Sequence, residues 1–191
     1  MTQTKKKPVE YVNNKKFYEA IVAYHESVAE AKKAGKPEPK IPNYIGECIM
    51  MIANKLATKP CFVNYSWKEE MISDAIENCF LYFNDYNPEK GQNPFAYFTQ
   101  VIYYAFLRRI YKEEKNRYTI YKNFQETITS VHETSLLTDS DDNILMPTQL
   151  YDNINAFMEK FEAKEDAKKQ KRKQLKEGLQ KFFVEDTEKN V

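Results

Sequence analysis

The chain has 191 residues, of which 42% are hydrophobic and 30% are charged, and its formal net charge is +1. This length allows one domain, or one domain with appendages, and the near-zero charge predicts weak DNA binding by the free chain. No apolar run approaches the roughly 20 residues of a membrane-spanning helix, so we expect a cytoplasmic protein without a membrane partner. The 4 glycines against 14 tyrosines and 12 phenylalanines favour a helical chain with aromatic surfaces.

Cysteine and histidine are too few and too scattered to suggest a metal site or catalysis. Cys48, Cys61 and Cys79 match no disulfide framework, and only His25 and His132 could complete a ligand set. Cys48 and Cys79 fall on apolar helix faces, which predicts buried, reduced thiols. The sequence holds neither a nucleophile–base spacing nor a glycine-rich phosphate loop, so we expect a protein that is not an enzyme and needs no metal or cofactor.

Two amphipathic helices are predicted first along the chain, at about 14–34 and 44–57. Apolar residues recur at helical spacing in both segments, and one glycine with three prolines breaks the pattern between them. The expected inward positions are Phe17, Ala20, Ile21, Tyr24, Val28 and Ala31, then Ile45, Cys48, Ile49, Ile52 and Leu56.

A third helix is predicted from a capping box and ends near Asn84. Ser66 can cap the helix, and Glu69 three residues later completes the box. The segment 87–91 then has the composition of a turn. The expected inward face is Ile72, Ala75, Ile76, Cys79, Phe80 and Phe83, and the polar face is Glu69, Glu70, Ser73, Asp74 and Glu77.

A fourth helix opens with Asn93 as cap and Pro94 at its first position, and is predicted to reach about Asn123. One face is an ordinary core stripe, whereas on the other tyrosines alternate with basic residues. Basic groups can neutralise phosphates and tyrosine rings can stack on unpaired bases. Alternatively, these tyrosines pack against the first or last helix. The core stripe is Phe95, Phe98, Ile102, Ala105, Phe106 and Ile110, and the second face is Tyr97, Val101, Tyr104, Arg108, Tyr111, Lys115 and Tyr118.

Charge is segregated between these two helices. Segment 66–91 has six acids against two lysines, whereas segment 108–122 has six basic residues against two acids. Opposite charges on neighbouring segments predict two partners of opposite sign, although both could be ordinary solvated faces. Glu70, Asp74 and Glu77 line up on one side of a helix, which could dock a basic helical partner.

The C-terminal third is predicted to be less compact. A polar linker at 124–147 leads to a short amphipathic helix at 148–161, and a charged tether follows at 162–191. The tether ends in an apolar plug of Leu179, Phe182 and Phe183, which could anchor in a partner's pocket or fold back on the core.

The order of these parts resembles the second conserved region of sigma-70-type factors. Residues 70–75 (EMISDA) stand where such factors have an acidic-apolar helix, 86–91 (YNPEKG) resembles their turn, and 93–100 (NPFAYFTQ) begins a long aromatic helix. The resemblance is closer to T-even-type bacteriophage late-transcription sigma factors, which are divergent members of the sigma-70 family. It is carried by 11–15 (YVNNK), 66–72 (SWKEEMI), 93–97 (NPFAY) and 109–110 (RI).

The resemblance implies an all-α fold, with a compact region-2-like domain at 11–123 and a flexible C-terminal extension. It also implies contact with the beta-prime clamp helices of the host RNA polymerase core, and with the melted minus-ten strand of promoter DNA. The polymerase-contacting residues would be Glu70, Ser73, Asp74 and Glu77. The DNA-contacting residues would be Tyr97, Tyr103, Tyr104, Arg108, Arg109 and Lys112.

Two departures from housekeeping factors narrow the expected activity. Val101 and Ile102 stand in place of two tryptophans, so the usual wedge is absent or supplied by nearby tyrosines. The chain also lacks a helix-turn-helix pattern for the minus-35 element, so an AT-rich minus-ten element would be recognised alone. The resemblance implies help from a phage late coactivator, and tethering to the phage sliding clamp through Leu179, Phe182 and Phe183.

The sequence thus predicts a late sigma factor, with two alternatives. The chain could be a polymerase-binding coactivator or sigma appropriator without direct DNA recognition, or a helical phage structural protein. Exposure of Tyr97, Tyr104 and Arg108 in the fold would favour the sigma factor.

Overall fold

A computed structural model describes residues 11–90, 93–137 and 148–188, with side chains described over 11–90, 93–130 and 149–177. All regular structure in these ranges is helical, without a strand, which confirms the predicted all-α fold class. The chain forms two compact units, Met1–Tyr111 and Lys112–Val191, called unit 1 and unit 2 below. No helix in the described ranges is long and apolar enough to cross a membrane.

Helix α1, Asn14–Lys33, buries four of the six residues predicted to face inward, and Ala20 and Ala31 are half-buried. The side chain of Asn13 caps it by accepting a hydrogen bond from the Lys16 backbone N–H at 3.1 Å. The chain leaves α1 at Gly35, where a φ of +64° suits a residue without a Cβ. The buried stripe residues are Phe17, Ile21, Tyr24 and Val28.

Helix α2, Asn43–Ala57, lies at the centre of unit 1 and packs against both α1 and α3, Lys68–Leu81. All five predicted inward residues of α2 are buried, and Ala53 and Ala57 join them. Small residues on the buried face let the neighbouring helices approach closely.

Helix α3 differs from its prediction at both ends. It ends at Leu81 rather than near Asn84, and its first turn also differs. It begins at Lys68, Trp67 is its N-cap, and no side chain caps it, so the capping box predicted at Ser66 is wrong. The buried stripe is Met71, Ala75 and Cys79. Of the predicted inward face, Ala75, Cys79 and Phe83 are buried and Ile72 and Ile76 are half-buried. Phe80 is 39% exposed instead of buried. Its ring lies over Gly46 of α2, with Cζ 3.8 Å from where a Cβ would stand.

Two short 3-10 turns, Phe83–Asp85 and Pro88–Lys90, connect α3 to α4. Phe83 and Tyr86 point inward and are buried. The Tyr18 hydroxyl on α1 donates to the Pro88 carbonyl at 3.2 Å, which fixes the second turn against the first helix.

Helix α4, Pro94–Leu137, begins as predicted: the Asn93 side chain accepts from the Ala96 N–H at 3.3 Å. Phe98, Ile102 and Phe106 are buried in unit 1. The helix then continues 14 residues past the predicted end at Asn123, into the segment read as a linker. That segment is polar but holds no glycine or proline up to Leu137, so nothing in its backbone chemistry stops the helix.

Unit 2 pairs the second part of α4 with α5, Thr148–Glu188, in antiparallel order. Helix α5 was predicted to end at 161, but it continues through the charged segment expected to be a tether. Lysine, glutamate and glutamine are good helix formers, and pairs such as Lys168–Glu165 stabilise successive turns. The contacts between the helices are Glu114 with Lys164, Tyr118 with Phe161, Tyr121 with Phe157, and Gln125 with Asn155.

Candidate protein and nucleic-acid interfaces

The acidic face of α3 is exposed where the sequence predicts a protein interface. Glu70, Ser73 and Glu77 all point to solvent, opposite the buried stripe of the same helix. Glu70 also lies in the first turn of α3, where a carboxylate stabilises the helix dipole. The exposed ring of Phe80 continues this face beyond Glu77 and adds an apolar group that helical periodicity predicts to be in the core.

Asp74 differs from the rest of the acidic set because it is paired within unit 1. Its Oδ2 lies 3.1 Å from Nη1 of Arg109 on α4, with the two side chains 37% and 19% exposed respectively. The sequence assigned these residues to separate surfaces, one for protein and one for DNA. The structure joins them, so each neutralises part of the other's charge.

Arg108 is exposed and is held by a residue that sequence reasoning missed. Its Nη2 donates to the Asn78 side-chain oxygen at 2.6 Å, and the Asn78 amide donates in turn to the Asp74 carbonyl. Asn78 follows Asp74 by one helical turn and therefore lies on the same face of α3. This spacing is the sequence feature from which its role could have been predicted. This contact orients the Arg108 guanidinium while leaving the side chain open to solvent.

Tyr97 is half-buried and has a packing role. Its hydroxyl donates to the Tyr82 carbonyl at 3.1 Å, and its ring lies 5.2 Å from that of Tyr86. Burial, with a smaller contribution from Asp85, raises the pKa of Tyr97. A ring held in this way is not available to stack on a base unless α4 moves away from the end of α3.

Tyr103 and Tyr104 are the exposed rings of the predicted DNA-contacting set. They are 41% and 52% exposed, and their centroids lie 5.8 Å apart in an edge-to-face arrangement. Tyr103 also contacts the buried ring of Phe62 at 5.8 Å, which anchors it to the core. Tyr104 precedes Arg108 by one turn, so an aromatic plane and a cation share one face of α4.

The remaining predicted site residues lie in unit 2. Lys112 is exposed on α4. Tyr118, which the sequence placed on the tyrosine–basic face, instead stacks on Phe161 at 4.9 Å and donates to Glu162 at 2.6 Å. This confirms, for Tyr118, the alternative of packing against the last helix. Leu179, Phe182 and Phe183 fall within α5, but their side chains lie outside the described residues.

The thiols and acids make no metal or redox centre in the described part of the chain. Cys48 and Cys79 are buried and Cys61 is exposed, all as free thiols, which confirms the first two predictions. Burial raises the pKa of Cys79 to about 12. No cluster of three or more potential ligands occurs among the described residues.

No protein-family model matches the chain, and a search of curated proteins finds no match.

Proposed function

We propose that this chain is a late-transcription sigma factor of the T-even bacteriophage type. It binds the host RNA polymerase core and directs initiation at late promoters with an AT-rich minus-ten element, assisted by the phage late coactivator and the sliding clamp. The observation that carries the proposal is the exposed group of Tyr103, Tyr104 and Arg108 on one helix, directly after the segment 93–97 that resembles this family.

The exposed rings supply what promoter opening requires. Unstacking a base step costs a few kcal/mol, and stacking one base on an aromatic side chain returns about 1–3 kcal/mol. Tyr104 offers a ring to a displaced base, and Arg108 offers a cation to the neighbouring phosphate. Tyr97 and Arg109 act as positioning residues, since the first packs on Tyr86 and the second pairs with Asp74.

Polymerase binding is assigned to the exposed part of α3. Glu70, Ser73 and Glu77 present two carboxylates and a hydroxyl on one side, and Phe80 adds apolar contact area. Asp74 contributes less than its neighbours because Arg109 already neutralises it. A basic helical surface on the polymerase is the matching partner.

The test is run-off transcription with the host core polymerase on a template carrying a TATA-like late promoter. We expect specific initiation that requires the chain, a large loss with Tyr104→Ala, and near-normal activity with Tyr104→Phe. Tyr151→Ala is the matched control, because Tyr151 is also exposed but lies in unit 2. Absence of initiation in the presence of tight core binding would contradict the proposal.

A second candidate is a polymerase-binding coactivator or appropriator that touches protein only. The packing of Tyr97 and the ion pair of Arg109 favour it, because both reduce the surface open to DNA. It predicts that Glu70→Lys with Glu77→Lys abolishes core binding, whereas Tyr104→Ala changes no activity. Glu26→Lys with Glu30→Lys on α1 is the control of equal charge.

A further inference from the structure

One segment of α5 is strongly basic although the whole chain is nearly neutral. Residues 168–176, called the basic segment below, contain six lysines or arginines and no acid, against a net charge of +1 for the chain. Every side chain in this segment is exposed, and its backbone is helical throughout. The charge is therefore local, ordered and open to solvent.

The helix that carries the basic segment is anchored just before it. Phe161 is 6% exposed and stacks on Tyr118, and the Lys164 ammonium lies 3.2 Å from a carboxylate oxygen of Glu114. These contacts fix α5 within unit 2. The basic segment begins one turn after Lys164, so the helix that carries it is held in place by these contacts.

Some cations of the basic segment are paired within their own helix, and others have no ion pair among the described residues. Lys168 pairs with Glu165 at 2.8 Å, Lys169 with Asp166 at 3.2 Å, and Lys173 with Glu177 at 3.9 Å. The residues without an ion pair in the described ranges are Lys171, Arg172 and Lys176.

Three cations of the basic segment form a line, and one of them is the paired Lys168. Lys168, Arg172 and Lys176 are four residues apart, so they lie on one side of α5 at intervals of about 6 Å along the axis. Lys171 flanks this side. Like charges at such spacing repel and destabilise the helix, and the exposed segment buries no apolar surface to offset this. A bound polyanion would remove the repulsion.

We infer that the basic segment binds the phosphate backbone of double-stranded DNA without sequence preference. Duplex DNA carries one negative charge per about 1.7 Å of its axis, which suits a line of regularly spaced cations. A membrane surface fits less well, because a membrane-binding helix needs an apolar face and Leu175 is the only large apolar residue in the segment. A protein partner would also require an apolar centre to the contact.

This inference goes beyond the proposed function, because it concerns intact duplex rather than the melted strand and requires no polymerase. It also revises the expectation of weak binding drawn from net charge, since local charge density determines phosphate contact. A sigma factor with this segment would stay on phage DNA between initiation events.

The test measures binding of the full chain to a short mixed-sequence duplex by fluorescence anisotropy, over about 50–200 mM salt. The variant carries Lys168→Gln, Lys171→Gln, Arg172→Gln and Lys176→Gln, which keeps helix propensity while removing charge. The control carries glutamine at Lys32, Lys33, Lys36 and Lys40, four exposed lysines of unit 1, so that net charge changes equally.

For the native chain we expect measurable binding that falls steeply with salt. For the variant we expect a slope of log affinity against log salt smaller by about 3 to 4, and for the control an unchanged slope. Circular dichroism should show the same helix content for the native chain and the variant, so that a loss of binding reflects the loss of charge. Equal slopes for variant and control, preference for one duplex sequence, or binding only to vesicles of anionic lipid would each overturn the inference. Because the assay lacks polymerase, its outcome is separate from that of run-off transcription.

Discussion

Unit 1 and unit 2 are both helical, but they are stabilised in different ways. Unit 1 encloses one continuous cluster of buried apolar side chains contributed by every helix in it. Among the described side chains of unit 2, Ile154 and Phe161 are buried, and the helices are otherwise joined by ring pairs and polar contacts. The comparison indicates that unit 1 should depend on packed volume, whereas unit 2 should depend on a few individual pairs.

The largest expected effect is a truncation in the core of unit 1. Phe98 is fully buried, and its ring lies 5.6 Å from that of Phe17 and 5.8 Å from that of Phe83. We expect Phe98→Ala to lower the free energy of unfolding by about 3–5 kcal/mol, measured by chemical denaturation. Tyr104→Ala is the exposed control and should stay within about 0.5 kcal/mol. Similar decreases in the free energy of unfolding for both variants would mean that the buried cluster does not stabilise unit 1 more than its surface residues do.

A smaller effect is expected from the same kind of change in unit 2. Phe161→Ala removes the stack on Tyr118 and the contact with Phe157, but Phe161 is 6% exposed and so less enclosed than the fully buried Phe98. The free energy of unfolding should fall by less than the value of about 3–5 kcal/mol that is typical of an enclosed phenylalanine. Hydrogen exchange should accelerate in 112–130 and 149–177 while 14–57 keeps its protection. Faster exchange throughout unit 1 would show that the two units unfold together.

The ion pair between Asp74 and Arg109 should contribute less to the free energy of unfolding than either phenylalanine. Both side chains are partly exposed, so solvent screens their attraction, and a coupling of about 0.5–1 kcal/mol is expected. A double-mutant cycle with Asp74→Asn and Arg109→Gln measures this coupling. The exposed pair Lys169 and Asp166 gives the reference value, and a coupling no larger than that reference would remove the positioning role given to Arg109.

The smallest expected effect is a pH dependence from His25. Its ring stacks on Phe83, and burial lowers its pKa. Because the unfolded chain takes up this proton first, at about pH 6.5, the free energy of unfolding should fall as pH drops below that value. The decrease should end once pH passes below the lowered pKa of the folded chain. His25→Phe keeps a ring and removes the titration, so its free energy of unfolding should fall less than that of the native chain between pH 7 and acidic pH. An equal fall in the two proteins would contradict this prediction.

Much of unit 1 could be predicted from helical periodicity. The stripes of α1 and α2 are strong because both helices bury one face and break at glycine or proline. On α3 the prediction correctly buries Ala75 and Cys79, but it omits the buried Met71 and wrongly buries Phe80. The Phe80 ring lies over Gly46 of α2, a neighbour that periodicity within one helix does not include.

The site was less predictable than the fold. Arg109 pairs with Asp74 across 35 positions of sequence, and no local pattern indicates such a contact. The lengths of α4 and α5 were underestimated, because polar composition was taken as evidence of a linker. Continued helix instead follows from the absence of glycine and proline through 124–137.

The thiols offer a practical route into solution studies. The thiolate is the form that reacts with maleimides, and burial opposes it at Cys48 and Cys79, whose pKa values are raised. Cys61 is exposed and is followed by Phe62, the ring that supports Tyr103. The native chain therefore carries one accessible attachment point for a fluorophore beside the face proposed to meet DNA, and it needs no engineered cysteine.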